Sequence, residues 1–446
     1  MNYEWKKYRF SEAVEINPFR KLEKGAIAPF IEMKAVESNK RKPTYILRKR
    51  YSGGGVKFKN GDTLLARITP CLENGKLVFI SGLNENEIGF GSTEFIVLSG
   101  KKGTTSSLFV YYLCRYNKVR DFLIKNMTGS SGRQRVQKEA FSHLIVDIPP
   151  LFEQYKIEEV LGSVDDKIEL NYEMNNTLEA IAQAIFKNWF VDFEPFKDEL
   201  VYNEELGKKI PKGWEVSKLG NVLSEIETGY RPPGGVSNVG SGIPSIGAEH
   251  ILGLGKFDYS KIKYVPPDFF ERMKRGKVRN GDVLLYKDGA YVGRRTYFDY
   301  DFPFDKCCVN EHVFILRTNE LITQKYLYFW LNQKWITTLI INISLASAQP
   351  GLNKQSLKSI PILVPKKEIV QEFDKMVEPI LALIFMNAKE TRILEQIRDT
   401  LIPKLLSGEI RVKIDIEKEF PEEVKKLDEI EKRKEQIGNA LERWIK

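Results

Sequence analysis

The chain has 446 residues, 42% hydrophobic and 29% charged, the composition of a soluble globular protein with apolar material for two separate cores. Its 69 basic and 60 acidic side chains leave a net charge of +9, which suits a local anionic partner and excludes a basic tail that coats nucleic acid indiscriminately. No apolar run approaches the roughly 20 residues that span a bilayer, and residues 1–7 hold no apolar signal core, so a cytoplasmic protein without a membrane partner is expected.

In chain order, the first predicted elements are strands at 63–68, 76–80 and 95–98, short β-branched and aromatic runs punctuated by glycine and asparagine turns. A helical stretch at 109–125 follows, then a long helix over 152–190. Strands at 283–286, 295–298 and 313–316, a helical stretch at 324–341 and a second long helix over 368–405 repeat that order. Particular residues carry the repetition. Asn60-Gly61-Asp62-Thr63-Leu64-Leu65 returns as Asn280-Gly281-Asp282-Val283-Leu284-Leu285, and Glu94-Phe95-Ile96-Val97-Leu98 as His312-Val313-Phe314-Ile315-Leu316. Ile148-Pro149 returns as Val364-Pro365, Asn171 as Asn387, and Trp5 as Trp214. A period this long denotes duplicated domains, not a solenoid. The Asn-Gly-Asp element reads as a tight turn between strands, with no chemistry of its own.

Both long helices carry a heptad seam, the pattern of helices packed side by side. In the first it runs through Ile157, Leu161, Val164, Ile168, Asn171, Asn175, Leu178, Ala182, Ile185 and Trp189. In the second it runs through Ile369, Phe373, Met376, Ile380, Leu383, Asn387, Glu390, Leu394, Ile397 and Leu401. Each seam turns polar in the middle. Buried polar groups need partners, so these residues are expected to face each other or a bound protein and to fix register. Pro379 predicts a kink but not a break, since the apolar pattern continues through it. At about 1.5 Å per residue each helix is a rod on the order of 55 Å, and burying one seam against the other is simplest with the rods antiparallel. The expected fold is α+β: two similar mixed α/β domains at 1–150 and 196–365, separated by spacer helices at 151–195 and 366–412, with a charged, helical extension at 413–446. The two domains would touch two short segments of one duplex, which turns once in roughly 34 Å.

Ile148-Pro149-Pro150-Leu151-Phe152-Glu153-Gln154, Ile157 and Asp165-Asp166-Lys167-Ile168 resemble the start of the spacer helix of type I restriction–modification specificity subunits. The run from Asn176 to Lys187 and Trp189-Phe190-Val191-Asp192-Phe193 resemble its end. Gly207-Lys208-Lys209-Ile210-Pro211-Lys212-Gly213-Trp214-Glu215-Val216 resembles the opening of the family's second recognition domain, and Leu401-Ile402-Pro403-Lys404-Leu405-Leu406-Ser407-Gly408-Glu409-Ile410 the close of its second spacer helix. The likeness extends to about Val412. The chain departs from the pattern at Val364-Pro365-Lys366, which lacks the second proline, and in residues 413–446.

The resemblance implies that each domain is a target-recognition domain reading one half of a bipartite double-stranded DNA target, with the helices setting the gap. It implies docking of two modification subunits that bind S-adenosylmethionine and methylate adenine, and of restriction and translocase subunits, while this chain binds no cofactor. The docking and spacer positions are Ile157, Leu161, Asn171, Asn175, Leu178, Trp189, Ile380, Asn387, Leu394 and Leu401.

Arginine reads guanine and glutamine or asparagine reads adenine, so polar loops with those residues are the expected DNA contacts. In the first domain these are Arg48 and Lys49 before the glycines at 53–55, Arg67 after a strand, and Arg133, Gln134 and Arg135 in Gly129-Ser130-Ser131-Gly132-Arg133-Gln134-Arg135. In the second they are Tyr230, Arg231, Lys287, Tyr291 and Arg294, and Gln349 in the segment that matches the Arg133 loop.

No catalytic or metal set is expected. Asp147-Ile148-Pro149-Pro150-Leu151 lacks the aromatic of an amino-methyltransferase motif, and Pro267-Asp268 has no acid-x-Lys nearby. His143, His250 and His312 lie in separate segments, and Cys71, Cys114, Cys307 and Cys308 have no zinc spacing and read as reduced thiols. The alternatives are a free-standing nuclease with duplicated domains and a scaffold that does not bind DNA.

Overall fold

The computed structural model describes residues 4–289, 291–346, 351–411 and 416–445. The chain divides into two compact units, Met1–Leu170 with Arg392–Leu427, and Asn171–Thr391 with Asp428–Lys446. Two 40-residue helices, α1 (Leu151–Phe190) and α2 (Lys367–Leu406), contribute to both units, and α2 continues through Pro379 without a break.

In the first unit an antiparallel sheet takes the order Val14–Ile16, Phe95–Gly100, Thr63–Ala66, Leu77–Phe79. Side chains alternate across a strand, so each face has its own core. Leu65, Ile96 and Leu98 pack with the helix Ser107–Arg115, whereas Leu64, Val78, Phe95 and Val97 pack with Ile31 and Phe58 of a second, mixed sheet. The second unit repeats the plan. Its sheet order is Leu223–Thr228, Val313–Thr318, Asp282–Tyr286, Arg295–Phe298, with Val283, Leu285 and Leu316 on one face and Leu284, Val313 and Ile315 on the other. The Asn-Gly-Asp turns are built alike: Lys59 N and Arg279 N each donate to the buried carboxylate of Asp62 or Asp282 at 2.8 Å. An arginine closes each turn, Arg20 on Asp62 at 2.6 Å and Arg317 on Asp282 at 2.7 Å.

Each long helix starts from a strand pair, Lys6–Arg9 with Ile145–Ile148, and Glu215–Lys218 with Pro361–Val364. Buried Gln154 fixes the start of α1, donating to Pro149 O and Thr104 O (2.8 Å each) and accepting from Ser106 N (2.9 Å). In the next turn Glu158 accepts from Phe109 N at 2.8 Å, and its counterpart on α2, Asp374, accepts from Thr323 Oγ1 at 2.8 Å.

Within the first unit, Ile157 and Leu161 of α1 share a cluster with Ile397, Leu401, Ile402 and Leu405 of α2. Beside it the buried Arg398 meets buried Asp165 at 3.0 Å. Within the second unit, Ala182, Phe186 and Phe190 pack with Phe373, Val377, Ile380, Leu381 and Ile384. Rising positions on one helix meet falling positions on the other, so the segments are antiparallel in each unit. The polar seam residues face each other: Asn171 donates to Glu390 (2.9 Å), Asn387 to Asn175 Oδ1 (2.8 Å), and Asn175 to Ile384 O (3.1 Å). The seam shifts at its far end, where Phe186 and Phe190 are fully buried, while the expected Leu178, Ile185 and Trp189 are only partly covered. The ring contacts of Phe186 with Tyr326, Phe329 and Phe373 draw that edge of α1 inward. Leu394 is buried, 8% exposed.

Residues 413–415 and 446 of the extension, and 412 before it, lie outside the described residues. Its main element is helix α3 (Pro421–Ile445). In the second unit Ile430 is buried and Lys434 pairs with Glu390, so the helix lies against the chain itself and not free in solvent. A cavity of about 540 Å³ separates α3 from α2, lined by Met376, Pro379, Ala382, Met386, Ile437 and Leu441 among others.

Candidate nucleic-acid interface

The strand Thr63–Ala66 leads straight into Arg67, whose backbone is held on both sides. Its N–H donates to Glu94 O, and its carbonyl accepts from Val136 N, both at 2.9 Å. The pair Met127–Thr128 and Arg135–Val136 forms a hairpin, and Thr69 N donates to Gln134 O at 3.0 Å. Residues 129–134 thereby become a loop fixed at its base and open at its tip. Gly129 takes φ +122°, and a Cβ there would stand 3.2 Å from Arg133 O, so this turn needs glycine.

Arg133 is exposed and Gln134 half-buried. Arg135 has all three guanidinium nitrogens engaged: Nε and Nη2 reach the two Glu94 oxygens at 2.9 and 2.7 Å, and Nη1 donates to Arg133 O at 3.0 Å. The Glu94 hydrogen bonds hold the Arg135 pKa above its ordinary value. Arg67 Nη2 donates to Gln137 at 2.6 Å, while its buried Nε meets no acceptor among the described residues. The structure thus gathers Arg67, Arg133, Gln134 and Arg135 at one place. Arg48 and Lys49 lie elsewhere, on the strand Leu47–Arg50 of the mixed sheet; Arg48 pairs with Glu87 at 2.7 Å and Lys49 Nζ stands 4.2 Å from the Phe30 ring centre.

The second unit repeats the backbone lock. Lys287 N donates to His312 O at 3.1 Å, Leu352 N donates to Lys287 O at 2.6 Å, and Asp288 bridges Gly351 as Ile68 bridges Arg135. Around it, Asp288 lies 2.8 Å from His312 Nδ1 and 3.1 Å from Lys287 Nζ. Glu311 lies 3.4 Å from His312 Nε2 and 3.0 Å from Arg231 Nε. Lys287 and Arg231 are therefore joined through a chain of acids and one histidine. Tyr230 packs on Phe269 at 5.4 Å. The Arg294 guanidinium lies 3.7 Å from the ring centre of exposed Tyr291. Neighbouring Arg295 turns inward to Leu331 O and, at 2.6 Å, to Thr337; burial lowers its pKa to about 10. Gln349 lies outside the described residues.

Sequence reasoning missed the acids and amides that orient these cations: Glu94, Gln137, Asp288 and Glu311, together with His312. The signal was present in part, since Glu94 and His312 open the repeated strand motif. Among the described residues no group of three or more His, Cys, Asp or Glu is placed to hold a metal ion. None of the described helices is long and apolar enough to cross a membrane.

The repeat seen in both units has a counterpart among known proteins. The family model for the type I restriction modification DNA specificity domain matches residues 2–180 and again 211–398. The chain belongs to that family. Of the members similar to it, the specificity subunit of type I restriction enzyme MjaIX from Methanocaldococcus jannaschii is 30% identical over 70% of this chain and 71% of its own length. The specificity subunit of type I restriction enzyme HindI from Haemophilus influenzae is 27% identical over 79% of this chain and 87% of its own. The fold resembles the crystal structure of the type I restriction–modification S subunit from M. genitalium, with a TM-score of 0.53 at 15% identity over 91% of this chain and 96% of that one. Members of the type I specificity family are named for specificity and not for a reaction, in keeping with a chain that is a non-catalytic component of its system.

Proposed function

We propose that this chain supplies the DNA sequence specificity of a type I restriction–modification enzyme and catalyses nothing itself. Each unit reads one half of a bipartite duplex target, and α1 and α2 fix the gap between the halves. The observation that carries this reading is the duplicated backbone lock: two domains of one family, each fixing a basic residue, Arg67 or Lys287, by its backbone at the same place in the fold. Two similar but unlike reading sites on one chain suit an asymmetric, two-part sequence. The first offers Arg133, Gln134 and Arg67; the second offers Lys287, Arg231 and the Tyr291–Arg294 stack. Phosphate contacts from such basic side chains supply affinity, and contacts to base edges supply choice.

The partners in this reading are two modification subunits docked along the paired helices, which bring S-adenosylmethionine and methylate adenine, and the restriction subunits that join them. This chain binds no cofactor and works in the cytoplasm. Methylome mapping in a host that co-expresses this chain with its modification subunits tests the proposal. A two-part adenine-methylated motif is expected. DNA turnover by the purified chain with magnesium alone, or duplex binding indifferent to salt, would overturn it.

A further inference from the structure

All three nitrogens of the Arg135 guanidinium are engaged, on a side chain that remains 37% exposed. Glu94 takes two of its nitrogens and the third donates to the carbonyl of Arg133. The pair closes the base of the loop that ends in exposed Arg133, beside the backbone lock that holds Arg67 between Glu94 and Val136. The second unit keeps a hydrogen-bonded side-chain pair in the matching strand and lock segments, with the roles exchanged between them. There the position of Glu94 holds His312, and the acid comes from Asp288, the counterpart of Ile68. A pair rebuilt from different residues at one site of a repeated fold argues that the site needs the pair.

We propose that Glu94 and Arg135 are positioning residues for reading one half-site: the carboxylate clamps the guanidinium, and the guanidinium holds the Arg133 backbone so that Arg133 and Gln134 meet the bases in a fixed pose. Neither Glu94 nor Arg135 touches DNA. This rests on the DNA-reading function proposed above. A bidentate ion pair suits the task because a fork of two parallel hydrogen bonds fixes angle as well as distance. Lysine at 135 could keep the charge but not that fork.

The test uses the full chain assembled with its modification subunits, selecting from a pool of duplexes randomised at every position, with sequencing of the bound fraction. Glu94→Gln and Arg135→Lys are each expected to flatten base preference in one half-site by about tenfold or more, leaving the other half-site intact. Affinity for a random-sequence duplex and its salt dependence stay unchanged, because no phosphate contact is lost; losing one would lower the slope of log affinity against log salt by about 0.9. An unchanged preference in the other half-site guards against a variant that merely unfolds. Two results overturn the proposal: a salt slope that falls by about one in Arg135→Gln, which removes the charge that Arg135→Lys keeps, or preferences that persist in Glu94→Gln while Arg133→Ala abolishes them. If Arg133→Ala with Gln134→Ala also leaves every preference intact, the hairpin does not read DNA, and the site assignment fails with the positioning role.

Discussion

Arg398 and Asp165 are each about 1% exposed, meet at 3.0 Å, and are completed by Tyr112, whose hydroxyl donates to Asp165 at 2.9 Å. A buried pair of this kind adds little net stability over an apolar pair, but removing Asp165 leaves the buried Arg398 with only the more exposed Asp399, at 2.9 Å, to balance it. Asp165→Asn is expected to destabilise the chain by about 3 kcal/mol or more, read from urea unfolding. Asp165→Leu with Arg398→Met should recover most of that loss. A single-variant cost well under 1 kcal/mol would show that the site is hydrated. Asp374 gives a second case, with a sign that depends on pH. Burial raises its pKa to about 6 from an ordinary 3.8, so the folded chain binds this proton more tightly than the unfolded chain. Stability from this group is complete below about pH 4 and is lost as pH rises toward 6. Asp374→Asn keeps an acceptor for Thr323 and should raise the melting temperature at pH 7.5, by up to about 3 kcal/mol in stability, with little change near pH 4. An equal effect at both pH values would assign the change to packing. The sequence marked Asp165 only as part of a family motif, and Arg398 and Asp374 not at all. Their roles come from contacts between segments more than 50 residues apart, which no local pattern records.

At the scale of the element, the long helices were legible because a heptad repeat survives in sequence whatever surrounds it. So were the polar breaks in the seams, and the structure pairs them as Asn171 with Glu390 and Asn175 with Asn387. The shift of the seam onto Phe186 and Phe190 was not legible, because aromatic rings from 326, 329 and 373 decide which edge of α1 faces inward. The hairpin loop was visible as a run of small residues, but Glu94 sits 41 residues from Arg135 and nothing local joins them. The seam pairs are open to a double-mutant cycle. Asn387→Leu strands the Asn175 oxygen and is expected to cost about 1–3 kcal/mol. Asn175→Leu with Asn387→Leu removes both polar groups and should be near neutral or stabilising, at the expense of register. Additive losses in the double variant would mean that the two asparagines act separately. Register is checked by whether cysteines placed at 171 and 390 still crosslink.

For the whole molecule, the duplication was readable from five matched segments and residues, and the family model likewise matches twice, at 2–180 and 211–398. If the helices set the gap between the half-sites, lengthening them must change that gap and nothing else. An insertion in α1 alone does not serve, because it would slide Asn171 and Asn175 away from Glu390 and Asn387 and misalign the polar seam. The insertion has to be paired, one heptad after Asn175 and one before Ile384, so that both seams stay in phase. Seven residues add about 10 Å of helix, close to three base pairs at about 3.4 Å each. Methylome mapping of the paired-insertion variant should therefore return the same two half-sites with the gap longer by about three base pairs. An unchanged gap would show that something other than helix length spaces the reading sites. A changed half-site would show that the insertion reaches the recognition loops, which the local anchoring of Arg67 and Lys287 by their own backbone locks argues against.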